Sequence, residues 1–165
     1  INNGEVIMDI GCGYGAVARS IAKSKNKSLI YGIDIDPEKI NQATSYKNPQ
    51  NLTFLEGNAE KSLNIKADVI VLSNVLEHIL FRNDFLNNIR KSTSAKKFLI
   101  RVPMFERDWQ IPLRKELEIN YFSDEDHKIE HTIEEFKKEL NSCDFDISYM
   151  STIWGEIWAE CISKI

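Results

Sequence analysis

The stretch Val6-Ile7-Met8-Asp9-Ile10-Gly11-Cys12-Gly13-Tyr14-Gly15 decides the fold of this chain. Its apolar first half is typical of a buried parallel strand, and the alternating glycines indicate a tight turn into a helix that begins near Ala16. Glycine is expected there because a Cβ would hold off a ligand that lies against bare backbone. Predicted strands and helices alternate to about residue 103, which predicts βαβ units and a parallel sheet.

Asp9 stands where the predicted strand meets the glycine turn. A turn that binds a pyrophosphate offers backbone N–H groups and a helix N-terminus, and both favour negative charge on the ligand. A carboxylate at this point would repel a diphosphate and attract a cation. We therefore interpret the turn as a site for a positively charged ligand, although Gly11-x-Gly13-x-x-Ala16 also satisfies the loose dinucleotide pattern.

The segment Asp9–Gly15 resembles the first motif of the class I S-adenosylmethionine-dependent methyltransferases, whose pattern is acid-x-Gly-x-Gly-x-Gly. Three further segments resemble motifs of that family in the family's order: Tyr31–Pro37 the second-strand motif, Gly57–Glu60 the adenine-side motif and Ala67–His78 the fourth-strand motif. Together they cover roughly the first half of the chain. The resemblance implies an α/β, Rossmann-like, doubly wound fold with a mostly parallel seven-stranded sheet and an antiparallel last strand.

The resemblance also implies how the first motif would hold the methionine end of S-adenosylmethionine. Asp9 would meet the ammonium group, directly or through water. Gly11, Gly13 and Gly15 would let the cofactor approach the backbone closely. A plain strand-to-helix connection is the alternative for the glycine turn.

The second and third motifs would hold the nucleoside end of the cofactor. Asp34 would accept hydrogen bonds from the ribose hydroxyls, and Ile35 would cover one face of the adenine. Asn58 replaces the acid that is usual in the family, but its amide oxygen can still accept a hydrogen bond from the adenine amino group. Ala59 would offer its backbone. A surface turn built on Gly57-Asn58 is the alternative.

The fourth motif ends in the candidate catalytic residue. Asn74 and Val75 follow a predicted strand at its carboxyl end, where open α/β sheets bind their ligands, and their backbone would line the sulfonium region. Glu77 and His78 are expected at the rim of the same pocket. His78 would contact the substrate or act as a general base, because imidazole titrates near neutrality. The alternative interpretation is that His78 is a structural residue that forms a hydrogen bond with a loop.

The connection from Met104 to His131 is long and mixed in charge, and we interpret residues 104–131 as a substrate-side insertion. Arg107, Trp109 and Arg114 in this segment could hold an anionic or ring-bearing substrate, and surface packing is the alternative for them. His127 and His131 lie four residues apart among acids, which makes a metal site conceivable. A solvated, irregular segment is the better interpretation, because the spacing matches no known ligand motif. The sequence therefore predicts no metal.

The remaining local signals place the other elements. Asp36 followed by Pro37 predicts a helix start, and Thr132-Ile133-Glu134-Glu135 predicts a capping box. The predicted helices run from about Ala16 to Lys25, Pro37 to Tyr46, Asp84 to Ser92 and Ile133 to Asn141. The predicted strands after the first are Leu29–Ile33, Leu52–Leu55, Asp68–Leu72, Lys97–Val102, Asp144–Tyr149 and Ile157–Ile165, the last two forming an antiparallel hairpin at the sheet edge.

Composition limits the class of protein. A length of 165 residues suits one domain, here residues 1–165. The net charge of −4 argues against a broad nucleic-acid-binding face, and no apolar run predicts a membrane span. The three cysteines are far apart, which favours reduced thiols in a cytoplasmic protein. The chain begins at Ile1, so we expect that the N-terminal cover usual in such methyltransferases is absent.

The predicted function is methyl transfer from S-adenosylmethionine to a small-molecule acceptor, with no nucleic-acid or membrane partner. Methyl transfer needs no triad or carboxylate pair, because proximity and orientation supply most of the rate. An NAD-dependent oxidoreductase and a non-catalytic cofactor-binding or scaffold module are the alternatives. The sequence does not indicate the acceptor atom or the oligomeric state.

Overall fold

The computed structural model describes residues 1–61 and 63–164. The elements in chain order are β1 (Val6–Ile10), α1 (Ala16–Ser24), β2 (Leu29–Asp34), α2 (Pro37–Ser45), β3 (Leu52–Glu56), β4 (Val69–Ser73), α3 (Arg82–Thr93), β5 (Lys97–Pro103), α4 (Gln110–Glu116), α5 (Ile133–Ser142), β6 (Phe145–Ile153) and β7 (Glu156–Ser163). Short 3₁₀ helices lie at Leu76–His78 and Phe105–Arg107. The predicted end of the last strand at Ile165 lies outside the described residues. None of the helices described is long and apolar enough to cross a membrane.

The described strands form one seven-stranded sheet in the order β3-β2-β1-β4-β5-β7-β6. The pairs from β3 to β5 are parallel, whereas β7 runs antiparallel to both β5 and β6. The predicted mostly parallel sheet with an antiparallel last strand is therefore confirmed. The chain winds outward from β1 through β2 to β3 and then returns to the other side of β1 at β4. The carboxyl ends of β1 and β4 thus flank the crevice where doubly wound sheets bind ligands.

Apolar side chains on the two faces of the central strands form two cores. On one face, Ile7 packs with Ala18 and Ala22 of α1. On the other, Met8 packs in the larger core with Phe85 and other residues of α3. Because both faces are covered, β1 and β4 are mostly apolar, and Asp9 of β1 is a buried polar exception.

The predicted starts of two helices are confirmed. The side chain of Asp36 accepts hydrogen bonds from the backbone N–H groups of the first turn of α2, and Pro37 occupies the first helical position. The hydroxyl of Thr132 accepts from the backbone of Glu135, whose side chain reaches back to the backbone of Thr132. Each arrangement supplies acceptors for N–H groups that have no partner inside the helix.

The terminal hairpin is longer than the sequence predicts. The pairing between β6 and β7 continues as far as Ile153 opposite Glu156, whereas the prediction ended β6 at Tyr149. The turn residues Trp154 and Gly155 both have positive φ values, 53° and 76°, as expected for a two-residue hairpin turn. Ser151 and Thr152 on this edge strand are polar, so they gave no hydrophobic signal for its extension.

Candidate functional site

A cleft of about 260 Å³ lies at the carboxyl ends of the first four strands. All four sequence motifs contribute to its lining. The predicted cofactor residues that line it are Gly11, Asp34, Ile35, Asn58, Ala59 and Val75. The other candidates, Asp9, Gly13, Gly15, Asn74 and His78, lie near it in the chain without being part of the described lining.

The glycine turn is held against the end of β2. The backbone N–H groups of Gly11 and Cys12 both donate to the carbonyl oxygen of Ile33, at 2.8 and 3.0 Å. Gly11 has a φ of +69°, and a Cβ placed on it would lie 2.7 Å from Cγ2 of Val75. Glycine at this position therefore lets the ends of β1 and β4 approach each other.

Gly13 and Gly15 serve different purposes in the same turn. Gly13 has a φ of +53°, and a Cβ on it would meet no described atom within 4 Å. Gly15 has a φ of +78°, and its Cβ would collide with the ring of Phe54. Space for a ligand is therefore not the reason for glycine at position 15, where the aromatic ring of Phe54 from β3 occupies the space of a Cβ.

Asp34 joins the glycine turn to the second motif. Its Oδ2 accepts a hydrogen bond from the backbone N–H of Gly13 at 2.7 Å, and its Oδ1 accepts from that of Asp36 at 3.0 Å. Each carboxylate oxygen has a further lone pair. Asp34 can therefore hold the turn and still accept a hydrogen bond from a ligand hydroxyl in the cleft.

Asp9 is a buried carboxylate at the centre of the sheet. It is 1% exposed, and the backbone N–H of Ala18 in the first turn of α1 favours its ionised form. Its Oδ2 has no hydrogen-bond partner in the described part of the chain. Burial raises the pKa of Asp9 to about 7, and the negative charge of Asp34 adds to this effect. Such an oxygen is suited to a cationic ligand group.

The end of β4 turns sharply at Asn74. Its φ of +58° is in the left-handed region, which asparagine tolerates better than most residues. Its backbone N–H donates to the carbonyl oxygen of Arg101 at 2.9 Å, and its side-chain amide donates to Oε1 of Glu156 at 3.3 Å. This turn places Val75 in the cleft beside Gly11.

Glu77 and His78 do not share the position at the rim that the sequence predicted. Glu77 is 1% exposed, so the prediction is wrong for this residue, whereas His78 is exposed. Burial raises the pKa of Glu77 to about 7, and Glu130 and Glu156 raise it further. The ring of His78 packs edge-on against that of His127, with 4.8 Å between centroids. Partial burial and His127 together lower the pKa of His78.

The predicted solvated segment around His127 and His131 is instead folded inward. The exposed fractions of the two histidines are 9% and 0%, so that interpretation is wrong. Nδ1 of His127 lies 2.9 Å from Oε1 of Glu130, and Nη1 of Arg107 donates to Oε2 of Glu130 at 2.8 Å. Burial would raise the pKa of Glu130, but the hydrogen bonds from Arg107 and Ser123 outweigh it and lower the pKa to about 2. Arg107 is thus engaged by the protein itself.

Sequence reasoning missed several residues of this region. Phe85 and Ile79 line the cleft, and Phe54 packs beside its glycine turn. The apolar face of α3 was a signal for Phe85. No sequence signal pointed to Glu130, because its partner Arg107 lies 23 residues away.

Comparison with known proteins identifies the class. Residues 1–159 match the family model described as Methyltransferase domain, and the chain belongs to this family. Its fold is that of the class I S-adenosylmethionine-dependent methyltransferases. The family match favours methyl transfer over the alternative of an NAD-dependent oxidoreductase.

A curated relative matches half of the chain. The ribosomal protein L11 methyltransferase of Clostridium botulinum (strain Eklund 17B / Type B) is 31% identical over 87 residues, which are 51% of this chain. The match covers only 28% of that relative.

Two solved structures share the fold. A chain of a complex that contains the Haloferax volcanii Trm112 methyltransferase activator has a TM-score of 0.80 and 14% identity, with 99% of this chain and 84% of that chain covered. Magnesium protoporphyrin IX methyltransferase from Synechocystis PCC 6803 with bound S-adenosylhomocysteine has a TM-score of 0.73 and 18% identity. The match covers 98% of this chain and 75% of that chain. At these identities the likeness concerns the fold alone.

Proposed function

We propose that this chain binds S-adenosylmethionine and transfers its methyl group to a small-molecule acceptor. The observation that carries the proposal is the cleft, which gathers residues of four separate motifs at the carboxyl ends of the first four strands of a methyltransferase-family domain. S-adenosylmethionine, when bound, supplies a methyl group that is activated by a positively charged sulfur.

The residues that line the cleft, together with Asp9 next to Ile10 of the lining, fit this cofactor. Oδ2 of Asp9, buried and without a partner among the residues described, is suited to the ammonium group. The unused lone pairs of Asp34 are suited to the ribose hydroxyls, since this carboxylate lines the cleft. Ile35 and Val75 supply apolar surface to the same lining.

Each candidate residue has a proposed role. Asp9 and Asp34 bind the two polar ends of the cofactor, while Asn58 and Ala59 bind the adenine edge through an amide oxygen and the backbone. Asn74 and Val75 shape the region of the sulfur, and His78 contacts the acceptor. Gly11, Gly13 and Gly15 form the turn.

The walls of the cleft contribute to catalysis by positioning and by excluding water. Phe85 and Ile79 contribute apolar surface to the lining. Holding two reactants in line can supply about 7–11 kcal/mol of the barrier. No strong base in the lining is required for that contribution.

A small molecule is a better acceptor than a nucleic acid on electrostatic grounds. The chain has a net charge of −4, and the acidic run Asp124-Glu125-Asp126 precedes the inward-folded His127. Phosphate backbones bind to basic surfaces, so an acidic neighbourhood disfavours them.

Calorimetric titration with S-adenosylhomocysteine and, separately, with NADH tests the proposal. We expect one S-adenosylhomocysteine per chain and no saturable binding of NADH. Asp9→Ala should weaken the binding of S-adenosylhomocysteine, because the ammonium loses its carboxylate. Binding of NADH without binding of S-adenosylhomocysteine would overturn the proposal, and unchanged affinity in Asp9→Ala would remove Asp9 from the site.

A further inference from the structure

Three side chains beyond the end of β4 form a compact cluster. Glu77, His78 and His127 each offer one ligand atom, and these atoms all lie within 4.8 Å of one another. Glu77 and His78 belong to the 3₁₀ helix after β4, and His127 belongs to the connection that leads to α5. The backbone N–H of Lys128 donates to the carbonyl oxygen of Glu77 at 2.7 Å. This hydrogen bond fixes the two segments to each other, so the cluster is built into the fold.

Glu77 is the unsatisfied member of the cluster. Its side chain is buried, and neither Oε1 nor Oε2 has a hydrogen-bond partner within residues 1–61 and 63–164. A buried carboxylate whose oxygens accept no hydrogen bond from a neighbouring residue is costly, because it has lost its water. A bound cation would supply the missing partner.

His127 is oriented by a second carboxylate. Both oxygens of Glu130 already accept hydrogen bonds, Oε1 from the backbone N–H of Ser123 at 2.8 Å and Oε2 from Arg107 at 2.8 Å. A carboxylate that accepts in this way leaves Nδ1 of His127 to act as the donor at 2.9 Å. The lone pair of a neutral His127 is then on Nε2. A carboxylate behind an imidazole is the usual support of a metal-ligating histidine.

We propose that Glu77, His78 and His127 bind a divalent transition-metal ion at the acceptor end of the cleft. Two imidazoles and one carboxylate are donors that Zn²⁺ and its neighbours in the first transition row prefer, whereas Mg²⁺ and Ca²⁺ prefer oxygen ligands alone. Three protein ligands also leave coordination positions open.

The open positions would take an oxygen-bearing group of the acceptor, a hydroxyl or a carboxylate, and this assignment rests on the proposed function. Val75 and Ile79, which flank the two ligands in the sequence, both line the cleft. The ion would therefore lie next to the cleft and hold the acceptor by its oxygen. His78 would then contact the acceptor indirectly, because it binds the ion and the ion binds the acceptor.

Calorimetric titration of chelator-treated protein with Zn²⁺ alone, and with Mg²⁺ for comparison, tests the site. We expect one Zn²⁺ per chain and much weaker binding of Mg²⁺. His78→Ala and Glu77→Gln should each weaken Zn²⁺ binding at least tenfold. The matched control Glu125→Gln, which changes an exposed acid of the same connection, should leave the Zn²⁺ affinity unchanged.

Glu130→Gln tests the orientation of His127. Loss of an outer carboxylate typically weakens metal binding by about 10–100-fold. Thermal unfolding of every variant is measured to establish whether the variant is folded. Absence of saturable Zn²⁺ binding to the unmodified chain, or equal affinity in His78→Ala, would overturn the metal site. Titration with S-adenosylhomocysteine is a separate measurement, so its failure would count against the proposed function and not against Zn²⁺ binding.

Discussion

The glycine turn and the Glu77–His78–His127 cluster lie at the same edge of the sheet, but they are constructed differently. The turn, Asp9–Gly15, is a short continuous segment that is held mainly by backbone hydrogen bonds to Ile33 and by the Asp34 carboxylate. The cluster joins side chains that are separated by about fifty residues of sequence and depends on Glu130 and Arg107 for support. Backbone hydrogen bonds between neighbouring strands thus shape one part of the candidate site, and packing of side chains shapes the other.

Substitution of Gly15 should have the largest effect, because it breaks the turn by both backbone strain and collision. Gly15→Ala combines a left-handed φ with a clash against Phe54, so we expect a loss of roughly 2–5 kcal/mol in the free energy of unfolding. Urea denaturation measures it. Gly13→Ala is the matched control: it has a similar φ and no described neighbour within 4 Å, and should cost only about 1–2 kcal/mol. Equal losses would show that Phe54 does not constrain the turn.

The pH dependence of stability should reveal the buried Asp9. Its pKa in the folded chain is raised to about 7 from the ordinary value of 3.8, so its stabilising contribution is complete below the unfolded pKa and is lost as the pH rises through 7. Between pH 5 and pH 8 the unliganded protein should lose about 2–3 kcal/mol more than Asp9→Asn does. Parallel urea denaturation series on the two proteins measure this difference. If the two proteins show the same dependence of stability on pH, the pKa of Asp9 is not raised into this pH range.

Asp34 can be compared with its near neighbour Asp36, which lies outside the described lining of the cleft. Asp34→Asn should weaken S-adenosylhomocysteine binding by about 1.5–3 kcal/mol, the usual value for hydrogen bonds to a charged group. Asp36→Asn should leave the affinity unchanged, because Asp36 caps α2 and asparagine is an equally good cap. Calorimetry at one pH provides both values. A similar loss of affinity in both variants would mean that the two acids affect binding indirectly, by stabilising the fold, and not by contact with the ligand.

Thr132 gives the smallest expected effect and lies at the start of α5, directly after the connection that carries His127. Thr132→Ala removes the capping box of α5 and should cost about 1 kcal/mol of stability. It should not change the affinity for S-adenosylhomocysteine, since the glycine turn does not depend on α5. Thermal unfolding and calorimetry together check this, and a weakened affinity would show that the two halves of the site are coupled.

Local sequence signals predicted the fold and the elements that surround the glycine turn well. The strand starts at the first five predicted positions agree with the structure within one residue, and the caps at Asp36 and Thr132 are as expected. These features depend on neighbours within about four residues, which the sequence shows directly. The start of α3 was misplaced by two residues, because Arg82 and Asn83 carry no apolar pattern.

The second half of the site was not predictable in the same way. The sequence suggested that Glu77 lies at the rim and that His127 lies in a solvated segment, and both are buried. Their burial depends on how the connection of residues 104–131 folds back onto the end of β4, where Lys128 bonds to Glu77. Contacts between such distant positions leave no periodic pattern in the sequence.

The sequence by itself determined the parallel sheet, the glycine turn and the family, because apolar runs, glycines and caps act over a few residues. Only the tertiary structure decided that Gly15 must make room for Phe54, that Asp34 holds Gly13, and that Glu77 meets two histidines. The physical reason is that the burial and the pairing of a side chain depend on the residues packed around it. Folding brings those residues together from distant positions in the sequence.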